Sequence, residues 1–408
     1  MNNFLSKWLS ISFLNLFLVA FLGFILRYKI AYYLPFSNQR YILHSHSHFA
    51  FSGWITQSLM VLLIYYLSSK IGEQVFEKYR QLLYANLICS YGMLISFIIQ
   101  GYGIFSISFS TLSIVVFIAF AIYFWKDLNW IKKKTTSILW FKAALAFGII
   151  SSIGAFSLSY LMANKITDQN WYLASVYFFL HFQYNGWFLF AGMGLLSDQL
   201  EFLIHERKKL YAIFYLFVFA CIPVYFLSML WIPFSIIIYL ILIVAVISQL
   251  IAWAIMLNIL SKNRIEISKQ FSPQGKTLLI LSAIAFTIKL LLQSGSIHPA
   301  LSQLSYGFRP IIIGYLHLVL LGVTSIFIIG YIISFKLLVI NKLLLTGIIV
   351  FVSGIIINEL LLMVQGVEAM SYTAIPYINE MLLGAALVLL SGTIIIFFGN
   401  LRQPNRSR

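Results

Sequence analysis

The sequence predicts an all-α protein, a polytopic membrane helix bundle of about twelve transmembrane helices. Three observations carry that prediction. Of 408 residues, 61% are hydrophobic and only 9% are charged, too little charge to cover a soluble domain of this size. Apolar runs of roughly 20 residues, the length that crosses a bilayer core, recur along the whole chain. A histidine followed five residues later by a glycine, inside an apolar run, occurs three times: His48 to Gly53, His181 to Gly186 and His317 to Gly322. These histidines lie 133 and 136 residues apart, close to a third of the chain. The fold expected is therefore a single transmembrane domain, 1–408, of three pseudo-repeats of four helices, at approximately 1–135, 136–270 and 271–408.

Taken in order, the runs fall at 8–27, 41–68, 81–101, 103–125, 138–163, 172–197, 210–231, 233–260, 276–294, 310–335, 340–364 and 378–399. The first is followed by Arg27-Tyr28-Lys29 rather than a small-residue cleavage site, so it reads as a retained helix. The short link after the third run and Trp231-Ile232-Pro233 after the seventh predict tight hairpins. Aromatic residues, 17% of the chain with 37 Phe and 24 Tyr, suit lipid-facing surfaces and interfacial belts. Cys89 and Cys221 both sit in apolar runs and read as packing residues, with no disulfide framework implied.

A net charge of +16 invites a nucleic-acid reading, but its distribution speaks for topology. Twenty of the 27 Lys and Arg lie at the termini or in loops after even-numbered helices, including Lys132-Lys133-Lys134, Arg207-Lys208-Lys209 and the Arg402/Arg406/Arg408 tail. Loops after odd-numbered helices hold five: Arg27, Lys29, Arg40, Lys165 and Arg309. The positive-inside rule places both termini in the cytoplasm. Helices 2, 6 and 10 then run inward, and at 1.5 Å per residue their motif histidines lie on the order of 10 Å below the outer face.

Histidine is rare within a bilayer and marks function there. His44-Ser-His46-Ser-His48 opens the second helix: His44 and His48 share one face and His46 points roughly the other way. Neutral imidazole is the commonest metal and haem-iron ligand, so His44, His46, His48, His181 and His317 are the candidate metal ligands. Tyr184, one turn after His181, and Tyr315, two residues before His317, are candidates to orient a ligand. Arg40 and Arg309 each precede a motif histidine by eight residues, a spacing that would let a guanidinium clamp a haem propionate. Gly53 and Gly322 would allow close backbone approach to a planar cofactor or a neighbouring helix. Glu359, Lys289 and Glu380 are candidate proton-path groups, although Lys289 and Glu359 could also neutralise each other. Lys142 is expected to snorkel, His205 to be solvated, and His298-Pro299 to form part of an outer loop.

Twelve helices, threefold repetition, and histidines near the outer face on helices 2, 6 and 10 resemble the haem-copper oxidase catalytic subunit. That resemblance implies low-spin haem held by helix-2 and helix-10 histidines, here His48 (or His44 or His46) and His317, with His181 matching a copper ligand. The seventh run, Leu210 to Trp231, has no histidine, and Tyr315 stands where a second helix-10 histidine would be. Oxygen reduction at a haem-copper site is therefore not expected. His46-Ser-His48-Phe-Ala-Phe-Ser-Gly53 and the later His-x4-Gly segments are similar to the NnrS family, haem- and copper-binding membrane proteins linked to nitric oxide stress; Phe49 departs from the Glu usual there. The resemblance implies a haem protein, b-type, with copper as a second metal, in the inner membrane of a bacterium. Its partners would be membrane lipid, respiratory-chain components or nitric oxide, and not nucleic acid. If the protein is an enzyme, it would be an oxidoreductase. A proton-coupled secondary transporter and a cofactor-free assembly subunit are the alternatives; transporters usually carry two repeats and broken helices at the midplane.

Overall fold

The computed structural model describes residues 3–35, 38–298, 301–302 and 308–402. Pro299, Arg406 and Arg408 lie outside the described residues. Among those described there is no strand, and each of the twelve apolar runs contains most of a helix, the seventh continuing past its helix into a 3-10 segment. They are α1 (Asn3–Ala31), α2 (Gln39–Ile71), α3 (Gln74–Gln100), α4 (Ile104–Trp130), α5 (Thr136–Ala163), α6 (169–199), α7 (Arg207–Cys221), α8 (Ile236–Lys262), α9 (Pro273–Gly295), α10 (Arg309–Ser334), α11 (Lys342–Ser371) and α12 (Ile378–Leu401).

Ten are long and apolar enough to cross a membrane, and Ile204–Cys221 with Pro223–Met229, bent by 40° at the break, makes an eleventh if the pair is counted as one span. The chain is a multi-pass membrane helix bundle. The helix outside that set is α6, whose mean hydropathy is lowered by Asn170, Trp171, Tyr172, Tyr177, His181, Gln183, Tyr184 and Asn185. The bend after α7 has a local cause, since Pro223 has no N–H to continue the ladder and its ring crowds the preceding turn.

Helix ends follow from residue chemistry. Asn38 caps α2 by accepting from the N–H groups of Arg40 and Tyr41, at 2.9 and 3.4 Å. Asp168 caps α6 in the same way from Asn170 and Trp171, at 2.8 and 3.1 Å. Gly72 and Gly101 close α2 and α3 at φ of +105° and +63°, where a side chain would be strained.

The chain divides into two compact units, with boundaries inside α4, α9 and α10. The first comprises Met1–Phe120, Ser272–Ser282 and Ile313–Arg408. In it α11 and α12 meet through small residues: a Cβ at Gly347 would lie 2.6 Å from the Ile396 nitrogen, and one at Gly392 2.5 Å from the Phe351 nitrogen. Such backbone proximity lets dispersion hold membrane helices together without a hydrophobic driving force. The second comprises Ala121–Phe271 and Ala283–Ile312. There Trp140, 1% exposed, packs against Phe190, Phe214 and Phe217, so one α5 side chain ties down both α6 and α7.

Candidate functional site

Each motif histidine is followed at once or within two residues by a π-helical stretch: Ala50–Thr56 in α2, Phe182–Phe188 in α6 and Leu318–Ser325 in α10. The closing N–H groups of Gln57, Leu189 and Ile326 bond the carbonyls of Ser52, Tyr184 and Leu321, five residues back. Widened turns of this kind are frequent at functional sites, because they re-aim side chains and loosen the carbonyl ladder. The glycines Gly53, Gly186 and Gly322 all fall inside these stretches and are buried.

Side chains of neighbouring helices bond the carbonyls of the widened turns. Asn15 Nδ2 donates to Gly53 at 2.5 Å and Asn86 Nδ2 to Ser52 at 3.2 Å. Cys221 Sγ donates to Asn185 at 3.8 Å, and Ser282 Oγ to Val323 at 2.8 Å. The donors come from the first or third helix of each expected four-helix group: α1, α3, α7 and α9. Trp54 Nε1 donates to Ser325 Oγ at 2.8 Å and joins the π stretches of α2 and α10 within the first unit.

The three histidines at the start of α2 divide as helical geometry requires. His46 turns to α1, where its Nδ1 donates to the Val19 carbonyl at 3.1 Å. Asn15, Val19, Gly23 and Arg27 recur every fourth residue and form one stripe of α1 facing α2. Gly23 makes the room, since a Cβ there would stand 3.3 Å from His46 Cε1. His317 donates from its own Nδ1 to the Ile313 carbonyl at 2.8 Å. A carbonyl can only accept, so both imidazoles carry their proton on Nδ1 and present a bare Nε2 lone pair. His46 and His317 are close enough to interact electrostatically, and Arg27 reaches both of them and Glu359. Both rings are half-buried. The candidate site of the first unit is therefore His46, His317 and Arg27, with Glu359 at its edge, where Asn358 Nδ2 donates to it at 3.1 Å.

His48 and His44 face α3 instead. His48 stacks on Phe97 with centroids 4.4 Å apart, and its Nε2 lies 3.2 Å from the Tyr102 hydroxyl. His44 meets the Tyr102 ring edge-on at 4.6 Å. Of the three α2 histidines expected as partners of His317, His46 is the one on the same side as His317, because 46 and 48 are about 200° apart around a helix.

His181 occupies a different environment in the second unit. It is 1% exposed, donates from Nε2 to the Cys221 carbonyl at 2.8 Å, and accepts at Nδ1 from Asn185 Nδ2 at 3.1 Å. Both ring nitrogens are engaged, which leaves no lone pair for copper in this arrangement. The carbonyl is available because α7 ends at Cys221 and its last carbonyls have no helical partner. Tyr184, 6% exposed, lies with its ring 6.4 Å from that of His181. Lys289, 1% exposed, donates to Gln293, whose amide donates on to Gln249 at 2.7 Å. Lys289 thus has Gln293 as its partner in the second unit, and Glu359 has Asn358 in the first.

The other sequence candidates are peripheral. Arg40 is exposed and reaches His44 electrostatically, and Arg309 is exposed at the first residue of α10. Tyr315 is half-buried two residues before His317, and Glu380 is exposed in the first turn of α12. Lys142 Nζ donates to Asn129 at 2.8 Å. His205 is exposed beside Asn263, and His298 is exposed after α9. Arg27, which the sequence places only among the outer-loop charges, and Tyr102 are not among the sequence candidates. The i, i+4 series ending at Arg27 was the signal for the first; nothing local marked the second. Among the described residues no group of three or more His, Cys, Asp or Glu is placed to hold a metal ion. No family model matches the chain, and no curated protein matches it.

Proposed function

We propose that this protein is a haem-binding electron-transfer protein of a bacterial inner membrane, in which Nε2 of His46 and of His317 would hold one b-type haem. The observation that carries the reading is that both imidazoles anchor Nδ1–H on a backbone carbonyl and leave Nε2 bare. This is how iron- and zinc-ligating histidines are oriented. Two imidazoles with no third protein ligand are too few to cage a bare metal ion, whereas haem iron takes imidazole ligands from the protein. The group would be held non-covalently, because the two cysteines, Cys89 and Cys221, form no Cys-x-x-Cys-His attachment motif. Bound haem supplies one-electron redox chemistry.

The chain's own residues orient and screen that site. Val19 and Ile313 fix the tautomers, Gly23 admits the His46 ring, and the Arg27 guanidinium offers a charge partner for a propionate. Arg27 takes the role expected of Arg40 and Arg309. Because two protein imidazoles would hold the same haem, electron transfer within a respiratory chain is favoured over binding of nitric oxide.

The test is a dithionite-reduced minus air-oxidised spectrum of the purified, haem-replete protein, with pyridine haemochrome quantitation. Sharp reduced α and Soret bands are expected, absent from His46→Ala and His317→Ala and retained in His48→Ala. A featureless spectrum from well-folded wild type, or bands that survive loss of both His46 and His317, would overturn the proposal. Proton-coupled transport is the second reading, favoured by the buried Lys289; proton flux in proteoliposomes that depends on Lys289 would support it.

A further inference from the structure

We infer that His44, His48 and Tyr102 form a second site, for a divalent first-row transition-metal ion, on the face of α2 that points away from His46. The inference is independent of the haem reading, because it uses the opposite side of the helix and different ring nitrogens.

His44 and His48 stand one helical turn apart on one face, the spacing at which two imidazoles can converge on a single ion. The His48 Nε2 lies 3.2 Å from the Tyr102 hydroxyl, and the His44 ring lies against the same tyrosine with centroids 4.6 Å apart. Neither nitrogen of His44 forms a hydrogen bond to another described residue, although the ring is half-buried. An ion between the two rings would use one lone pair from each imidazole.

Tyr102 is aimed by a stiff loop. Gly101 adopts φ +63°, and a Cβ there would collide with the Tyr41 ring. Ser106 Oγ donates to the Gly101 carbonyl at 2.7 Å and accepts from the Gly103 N–H at 2.9 Å. Tyr102 is 38% exposed, so the site opens at the surface of the bundle. A set of two nitrogens and one phenol oxygen, completed by water, suits Cu2+ or Zn2+ and not Mg2+ or Ca2+, which take oxygen cages. Arg40, one turn before His44, opposes a dication electrostatically, so the affinity expected is micromolar rather than nanomolar.

The experiment uses full-length, tag-free protein stripped with chelator and titrated with Cu2+ alone and Zn2+ alone. One equivalent is expected, with a Cu2+ paramagnetic resonance spectrum split by two imidazole nitrogens. His44→Ala and His48→Ala should each weaken binding at least tenfold, while His46→Ala and His317→Ala leave it unchanged. A second measurement needs no variant: Zn2+ should protect His44 and His48 of wild type from diethyl pyrocarbonate, as read by mass spectrometry. Binding that persists in the His44→Ala/His48→Ala double variant, copper that follows His46 or His317, or labelling unaffected by Zn2+ would each overturn the inference. Whichever way this result falls, the haem spectrum reports separately on His46 and His317.

Discussion

Replacing His181 by alanine separates a structural histidine from a metal ligand. The substitution removes the donor to the Cys221 carbonyl and the acceptor of the Asn185 amide, at 2.8 and 3.1 Å, in a place where His181 is 1% and Asn185 4% exposed. A buried polar group left without a partner costs about 1–3 kcal/mol, while interhelical hydrogen bonds in membranes average about 0.6 and reach about 1.7 kcal/mol. The lower scale applies to the hydrogen bonds, because the unfolded chain in a micelle also finds partners. The cavity adds to it: the imidazole packs against Phe182 and Tyr225, at 5.1 and 5.9 Å between centroids, and a void costs about 24 cal/mol per Å3. Together these give a loss of about 2–4 kcal/mol. The assay is reversible denaturation in mixed micelles on protein carrying neither haem nor added metal. His181→Gln, which can both donate and accept, should recover about half of the loss. If His181→Ala unfolds like wild type but lowers bound metal, the structural assignment is wrong and the histidine is a ligand.

Four further outcomes are expected. Gly186→Ala should lose about 1–3 kcal/mol, because its Cβ would sit 2.6 Å from Phe147 Cβ, an atom fixed to its backbone; equal micellar stability would refute the close approach. Gly384→Ala has nothing within 4 Å of the new methyl and should gain up to about 1 kcal/mol from helix propensity in the same assay. Gln293→Leu should destabilise more than Lys289→Met, since it strips the buried ammonium of its acceptor while the second change removes the charge itself. The reverse order in denaturation would show that the Gln293 contact does not support Lys289. Asn86→Leu, which removes donors to the Ser52 carbonyl and to Gln57 Oε1, should cost about 1–3 kcal/mol and raise amide hydrogen exchange through 50–57.

Much of the fold was legible in composition and periodicity. The alternation of apolar runs with charged clusters located each helix, since a bilayer admits few solutions for the backbone and each spanning segment must satisfy its own hydrogen bonds. The recurrence of His-x4-Gly pointed to the stretches where α2, α6 and α10 widen. Their π-helical character was not legible, because it depends on donors such as Asn15, Asn86 and Ser282 arriving from other helices. Hydropathy also ranked α6 too simply: its aromatic and amide side chains make a long helix whose apolarity falls below that of its neighbours.

At the candidate site, the sequence by itself determined that His46 opposes His44 and His48 around α2, a consequence of 100° per residue. Which face meets which helix was decided only by tertiary packing. Asn15, Val19, Gly23 and Arg27 had to line up on α1 before His46 had a carbonyl to bond and space beside Gly23 to enter. His181 shows the same limit from the other side. Its motif matches those of His48 and His317, yet the end of α7 places the Cys221 carbonyl against one nitrogen and Asn185 covers the other. A one-dimensional spacing can repeat while the partners differ, because each imidazole's role is set by what the neighbouring helices offer its two nitrogens.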